Sequence, residues 1–282
     1  MRIDLHAHST ASDGTSTPAE LVGEAAAAGL DVLAVTDHDT TRGWAEAFAA
    51  RPAGLSIVPG AELSLRWHGG ARPIGLHMLA YLFDPAEPEL AGALARVRTA
   101  RETRAERMVD LLSADGIDIT WDEVLEYAGG GTVGRPHLAQ ALMRRGLVDT
   151  VTEAFAPEWL GARYRIPKDD IDVFEGLRLI LGAGGVPMFA HPRASVRGPI
   201  VPDSLIVELA AAGLFGLEAD HTDHSPQEQA EMHAMAGRLG LVTTGSSDYH
   251  GTNKTVRLGA RTTAPEALER IVAAGRGSGV VG

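Results

Sequence analysis

The sequence predicts an α/β fold, a parallel β/α body of barrel type interrupted by an all-helical insertion, and three observations carry that expectation. Short apolar runs alternate with amphipathic stretches over residues 1–87 and again over 169–282, as strands alternate with helices. Over 88–168 one helical pattern follows another with no strand pattern between them. Histidines and carboxylates recur directly after the apolar runs, where the carboxyl ends of parallel strands would gather at one mouth.

In chain order, "RIDLHAHS" reads as a strand. "STPAELVGEAAAAGL" reads as a helix with Thr17 at the N-cap, Pro18 in the first turn and Glu20 closing a capping box. "DVLAVTDHD" is a buried strand and "TRGWAEAFAAR" a helix; "LSIVPGAELSL" and "RPIGLHMLAYLF" are further strands. A long helical pattern runs from about Pro88 to Asp115, followed by helices in "TWDEVLEYAGG" and "RPHLAQALMRRGLV". The alternation resumes with the helix "DDIDVFEGLRLILGAGG" and the strand "VPMFAHP". It continues through "DSLIVELAAAG", "LFGLEAD", "SPQEQAEMHAMAGRLG" and "LVTTGSSDYH" to a last helix near "APEALERIVAAG". Residues 88–168 thus form an insertion between two parts of one body, 1–87 and 169–282, and no internal repeat or low-complexity tract is present.

Composition narrows the chemistry. A chain of 282 residues, 45% of them hydrophobic, buries a substantial core. It shows neither a run of about 18 apolar residues suited to a membrane helix nor a signal-peptide core, so a cytoplasmic protein with no membrane partner is expected. With no cysteine, disulfides and thiolate ligands are excluded, and any metal must sit on imidazole and carboxylate. The net charge of −12 argues against binding long duplex nucleic acid. That charge is unevenly spread: residues 96–168 hold 11 basic and 11 acidic residues, against 14 and 26 elsewhere. An acidic body of this kind either repels anions or holds cations that reverse the local field.

The candidate ligands follow strand patterns. The period of two puts His6 and His8 on one side of a strand end, and His38 occupies the same place one strand later, with Asp37 pointing the opposite way to orient a ligand. Glu62 ends "SIVPGAE", His77 lies in "IGLHMLAY", His191 ends "VPMFAHP", and Asp248 and His250 end "VTTGSSDYH". One histidine at a strand end is ordinarily a packed, hydrogen-bonded side chain. Six histidines with Asp13, Glu62 and Asp248 at one mouth are costly to gather unless cations hold them, because desolvated carboxylates need partners.

Those residues, as "HAHST", Asp13, "TDHD", "PGAELS", His77, "AHP" and "SDYH", resemble the four motifs of the PHP (polymerase and histidinol phosphatase) family, in order and across the chain. The resemblance implies a distorted (β/α)7 barrel, PHP-type, holding three divalent metal ions, manganese foremost, with iron or zinc as alternatives. By motif, His6, His8, Glu62 and Asp248 would hold one ion, with Glu62 bridging to a second held by His77 and His191. Asp13, His38 and His250 would hold the third. The helical insertion, with "VGRPHLA" inside it, resembles a branch that acts on nucleoside 3′,5′-bisphosphates and, as 5′-3′ exonucleases, on short 5′-phosphorylated oligoribonucleotides. That branch carries a histidine after the "LE" strand, and His224 in "LEADHTDHS" fits the pattern better than His221.

Phosphoester hydrolysis needs a nucleophile at neutral pH and neutralised phosphoryl oxygens; clustered divalent ions supply both, so no side-chain nucleophile is required. Cations for a second phosphate would come from the neutral insertion, which offers Arg135, Arg163, Arg165 and Lys168. Arg193, Lys254 and His137 are further candidates, while His68 and His233 read as solvent-facing. The arginine-rich stretch from Arg96 to Arg107, interleaved with glutamates, reads as a solvated helix face. The expected partner is a small phosphorylated nucleotide or short oligonucleotide. Three other readings stay open: a histidinol-phosphate phosphatase, a C–N amidohydrolase, and a non-catalytic metal-binding module. An amidohydrolase commonly bridges two metals with a modified lysine, and neither Lys168 nor Lys254, the two lysines here, ends a strand.

Overall fold

The computed structural model describes residues 1–167 and 170–282. Its strands are β1 (Ile3–Asp4), β2 (Val32–Val35), β3 (Ser56–Trp67), β4 (Ile74–Tyr81), β5 (Ile171–Asp172), β6 (Val186–Phe189), β7 (Gly216–His221) and β8 (Val242–Ser246). Seven of them form one sheet in the order β1-β2-β3-β4-β6-β7-β8, and β5 pairs with the outer part of β3. A parallel bridge from Ala7 to Tyr249, with the His8 N–H donating to the Tyr249 carbonyl at 2.9 Å, brings the two ends together and nearly closes a barrel. The α/β barrel expectation therefore holds.

The sheet is not wholly parallel. β4 runs antiparallel to both β3 and β6. The connection from Trp67 to Ile74 is six residues long, too short for the crossover of a dozen or more that a parallel pair requires, so a hairpin is forced. Two strand bounds also differ from expectation. β1 is two residues long, with His6 and His8 just beyond it, and β3 runs past Glu62 to Trp67.

Helices α1 (Pro18–Ala27), α2 (Trp44–Ala50), α7 (Val173–Gly182), α8 (Asp203–Ala211), α9 (Pro226–Leu239) and α10 (Pro265–Ala274) belong to the barrel body. The α1 cap is as predicted: the Glu20 N–H donates to Thr17 Oγ1 and the Thr17 N–H to Glu20 Oε2. Between β4 and β5 lie α3 (Pro88–Ala114), α4 (Trp121–Ala128), α5 (Arg135–Arg144) and the short α6 (Val151–Ala154), with no strand among the described residues there.

α3 joins two cores. Its first turns place Leu90, Ala93 and Leu94 in the apolar cluster under the sheet. Its later turns place Ala105, Met108, Val109 and Leu112 in a second cluster with Val124, Leu138 and Leu160. The stretch from Arg96 to Arg107 is accordingly not a solvated face throughout. Arg101 and Arg104 are buried because this part of α3 lies against the barrel, where Arg101 Nε is 2.8 Å from Asp39 Oδ2 and Arg98 donates to the Asp39 carbonyl at 2.7 Å. Among the described residues no helix is long and apolar enough to cross a membrane.

Candidate metal centre

The barrel mouth is built from the segments that follow β1, β2, β6 and β8, together with the middle of β3 and β4. Alternation past β1 puts the His6 and His8 rings on one side, with their Nε2 atoms 3.1 Å apart. Glu62 pairs with Leu79 in the β3–β4 hairpin and lies across from His38 through an isolated bridge. Its carboxylate is 2.8 Å from His77 Nδ1, 2.9 Å from His191 Nε2 and 3.2 Å from His38 Nδ1. His191 and Asp248 both sit at positive φ, 32° and 53°, a backbone that side chains other than glycine rarely adopt.

All nine sequence-predicted ligands converge. Three groups place one donor atom from each member within 4.8 Å of the others: His6, His8, Glu62 and Asp248; His8, Asp13, His38 and His250; and His38, Glu62 and His77. His191 is not in the third group, although it touches the same Glu62 oxygen as His77.

The donor set fits divalent ions. His38 Nδ1, His77 Nδ1 and Asp248 Oδ1 are buried and have no aligned hydrogen-bond partner, although an opposite group lies 2.8–3.3 Å from each. Close approach without alignment is what lone pairs aimed at a common point produce. Burial pushes Glu62 up, but His38, His77 and His6 more than offset it and hold the carboxyl well below its usual range. Asp13 is held low in the same way by His38 and His250. Burial with Arg197 nearby pushes His191 down to about 3, and burial with Lys254 pushes His250 down to about 4, which keeps both imidazoles neutral and able to ligate.

A further layer orients these ligands. Asp37 accepts from the Ser9 N–H at 2.8 Å and from Ser12 Oγ at 2.7 Å, and Ser12 Oγ is 3.4 Å from His8 Nδ1. Asp37 thus faces away from the mouth, as alternation predicts. Gly131 rests on the same loop: a Cβ there would stand 2.3 Å from the Thr10 carbonyl oxygen, and the next N–H, of Thr132, donates to Ala11 at 2.8 Å. His137 accepts from the Gly134 N–H at 3.0 Å and bonds to the Ser12 backbone, so it ties α5 to the ligand loop.

Several substrate-contact expectations are corrected. His224 has both ring nitrogens engaged by backbone, Nδ1 with the Ala219 carbonyl at 2.9 Å and Nε2 with the Arg193 N–H at 3.1 Å, so neither is free for substrate. His221 faces the mouth instead. Its Nδ1 accepts from the Asp223 N–H at 2.9 Å, which leaves Nε2 to donate toward Asp248 Oδ2 at 3.3 Å. Arg163 is paired with Asp115 at 2.8 Å. Asp115 lies 14 residues beyond Arg101 along α3, about 21 Å at 1.5 Å per residue, so Arg163 stands away from the mouth. Arg193 is buried against Asp203 and the Val201 carbonyl. Lys168 lies outside the described residues. His68 is exposed, and His233 pairs on the surface with Asp220.

Arg135 stands over the Phe155 ring and donates to the Leu160 carbonyl at 3.2 Å. Burial with Arg165 and Arg101 nearby pushes its guanidinium down to about 10, and burial with Arg101 pushes Arg104 down to the same value. The backbone just before Arg135 runs beside Asp13, whose Cβ is 4.0 Å from the position a Gly134 Cβ would take, while Arg101 and Arg104 have Asp39 and Asp170 as counter-charges.

Sequence reasoning missed Glu218, Arg101, Asp39 and Arg197. Glu218 is buried beneath His6 and His191, and Arg197 donates to Asp248 Oδ2 at 2.5 Å, the oxygen that also takes Lys254 Nζ at 2.7 Å. Glu218 had a signal, an acid inside the apolar run "LFGLEAD"; Arg197 had none.

Comparison with known proteins agrees with this geometry. The PHP domain model matches residues 4–123. The chain is 34% identical over 257 residues to a 3′,5′-nucleoside bisphosphate phosphatase of Chromobacterium violaceum, covering 88% of this chain and 87% of that protein. It is also 34% identical to a 5′-3′ exoribonuclease of Haemophilus influenzae, covering 92% and 93%. A crystal structure from Bifidobacterium adolescentis, assigned as a metal-dependent phosphoesterase, superposes with a TM-score of 0.92 at 36% identity, over 97% of this chain and 96% of the other. Relatedness of this degree over nearly the whole length makes the chain a member of the PHP-domain family and a metal-dependent phosphoesterase, a hydrolase of phosphate ester bonds.

Proposed function

We propose that the protein hydrolyses phosphate esters of small nucleotides, nucleoside 3′,5′-bisphosphates and short 5′-phosphorylated oligoribonucleotides, at a centre of three divalent ions, manganese foremost. When bound, the ions supply an activated water and neutralise the phosphoryl oxygens. The chain's own residues do the rest. His6, His8, Glu62 and Asp248 would hold one ion, and Asp13, His38 and His250, with His8 beside them, a second. Glu62 would bridge to a third held with His77 and His191. Arg135 would bind a phosphate that does not react, with Arg165 nearby adding to the positive field around it.

The observation that carries the substrate class is the buried Arg135, held over the Phe155 ring and against the Leu160 carbonyl with the cations of Arg165 and Arg101 nearby. An anion taken up beside Arg135 would offset the burial of that cation, and a substrate with a second phosphate supplies one. The relatives named as a bisphosphate phosphatase and an exoribonuclease support the same reading.

The test is a panel of adenosine 3′,5′-bisphosphate, short 5′-phosphorylated RNA and histidinol phosphate, each with saturating manganese. The two nucleotide substrates are expected to show the higher kcat/KM. Preference for histidinol phosphate would replace the proposed substrate class.

A further inference from the structure

Glu218 projects from β7 into the floor of the barrel mouth and is fully buried. Its Oε1 lies 2.9 Å from His6 Nδ1 and also accepts from Ser246 Oγ, while its Oε2 accepts from the His191 N–H at 2.7 Å. A carboxylate against Nδ1 holds a proton on that nitrogen, so Nε2 is the atom His6 can offer to a metal. Nε2 is the atom that faces Glu62 at 3.2 Å and Asp248 at 3.4 Å. The other oxygen restrains the backbone of His191 at its unusual φ of 32°, which directs the His191 ring to Glu62.

We infer that Glu218 is a positioning residue that couples two of the candidate metal positions, one of its oxygens setting the His6 tautomer and the other the His191 backbone. The inference rests on reading His6 and His191 as metal ligands. A carboxylate is required because both of its oxygens accept. An amide offers one acceptor and one donor, so in one orientation a glutamine at 218 can meet His6 Nδ1 only by donating to it, which drives the ring proton to Nε2, and in the other it sets its own N–H against the His191 N–H.

The test strips the protein with a chelator and titrates zinc back against a chromophoric competitor, comparing the parent with Glu218→Gln and Ser246→Ala. Glu218→Gln is expected to weaken the positions containing His6 and His191 by about 10- to 100-fold, as loss of a ligand-orienting partner does. The position built on Asp13, His38 and His250 should keep its affinity. Ser246→Ala, which leaves both ligand contacts in place, should stay within about threefold of the parent, well below that range.

A readout independent of any variant is the nitrogen NMR spectrum of the zinc-loaded parent, where His6 is expected to carry its proton on Nδ1. A proton on Nε2 overturns the inference, as does unchanged zinc affinity in folded Glu218→Gln. A parent that takes up no zinc overturns the ligand reading, and this inference with it.

Discussion

Glu62 stands within 3.2 Å of five imidazoles, those of His6, His8, His38, His77 and His191. One carboxylate at the centre of so many donors can serve more than one ion, and it belongs to two of the three donor groups. Glu62→Gln keeps the shape and removes the charge. Elemental analysis of the purified variant is expected to show loss of metal from both groups at once, while the group of His8, Asp13, His38 and His250 retains its ion. A variant with the parent's full metal content would end the bridging role. The histidines divide by what each second nitrogen does. His6 and His250 direct Nδ1 to a carboxylate or a carbonyl and leave Nε2 for a ligand role; His224 has both nitrogens engaged.

Helix α3 is the element that fastens the insertion to the barrel. Arg101 makes a fully buried pair with Asp39, and Asp39 Oδ1 accepts from the Ser64 N–H at 2.7 Å within the strand that carries Glu62. Asp39 itself has a φ of 54° and directly follows His38. Removing one partner of a buried pair strands the other charge, at a cost of about 3–5 kcal/mol. Arg101→Ala is therefore expected to lower unfolding stability by about that amount in urea, with Asp39 left uncompensated. A loss below about 1 kcal/mol, the range of exposed pairs, would show that water reaches the pair. The regular placement of arginines and glutamates in α3 has the composition of a surface helix. Only docking against the barrel decides which of them are covered.

Across the whole molecule the acidic body and the neutral insertion divide the electrostatic work. Asp13, Glu62 and Asp248 of the body lie where cations would bind, and Arg135 is buried with Arg165 and Arg101 nearby. This division predicts selective damage. Arg135→Ala is expected to reduce kcat/KM for adenosine 3′,5′-bisphosphate by about 10- to 150-fold, the equivalent of a lost charge-assisted contact of about 1.5–3 kcal/mol. Hydrolysis of a simple aryl phosphate, which has no second phosphate, should change far less when both are assayed at saturating manganese. Equal losses would place Arg135 at the reacting phosphate or in the stability of the fold.

The sequence by itself determined the α/β class, the interruption by helices and the set of ligand-type residues. Each of these depends on local periodicity or on residue type, and both are legible along the chain. The capping box of α1 is legible for the same reason, since its partners are three residues apart. The direction of β4 was within reach of the sequence too, through the six residues that separate it from β3, but apolar runs alone do not show direction. Only the tertiary structure decided that Glu218 lies under His6, 212 positions away, that His221 rather than His224 faces the mouth, and that Arg101 and Arg104 are buried. Those outcomes depend on which surfaces meet when the barrel closes and α3 docks. Contacts between residues far apart in sequence leave no periodic trace in either segment.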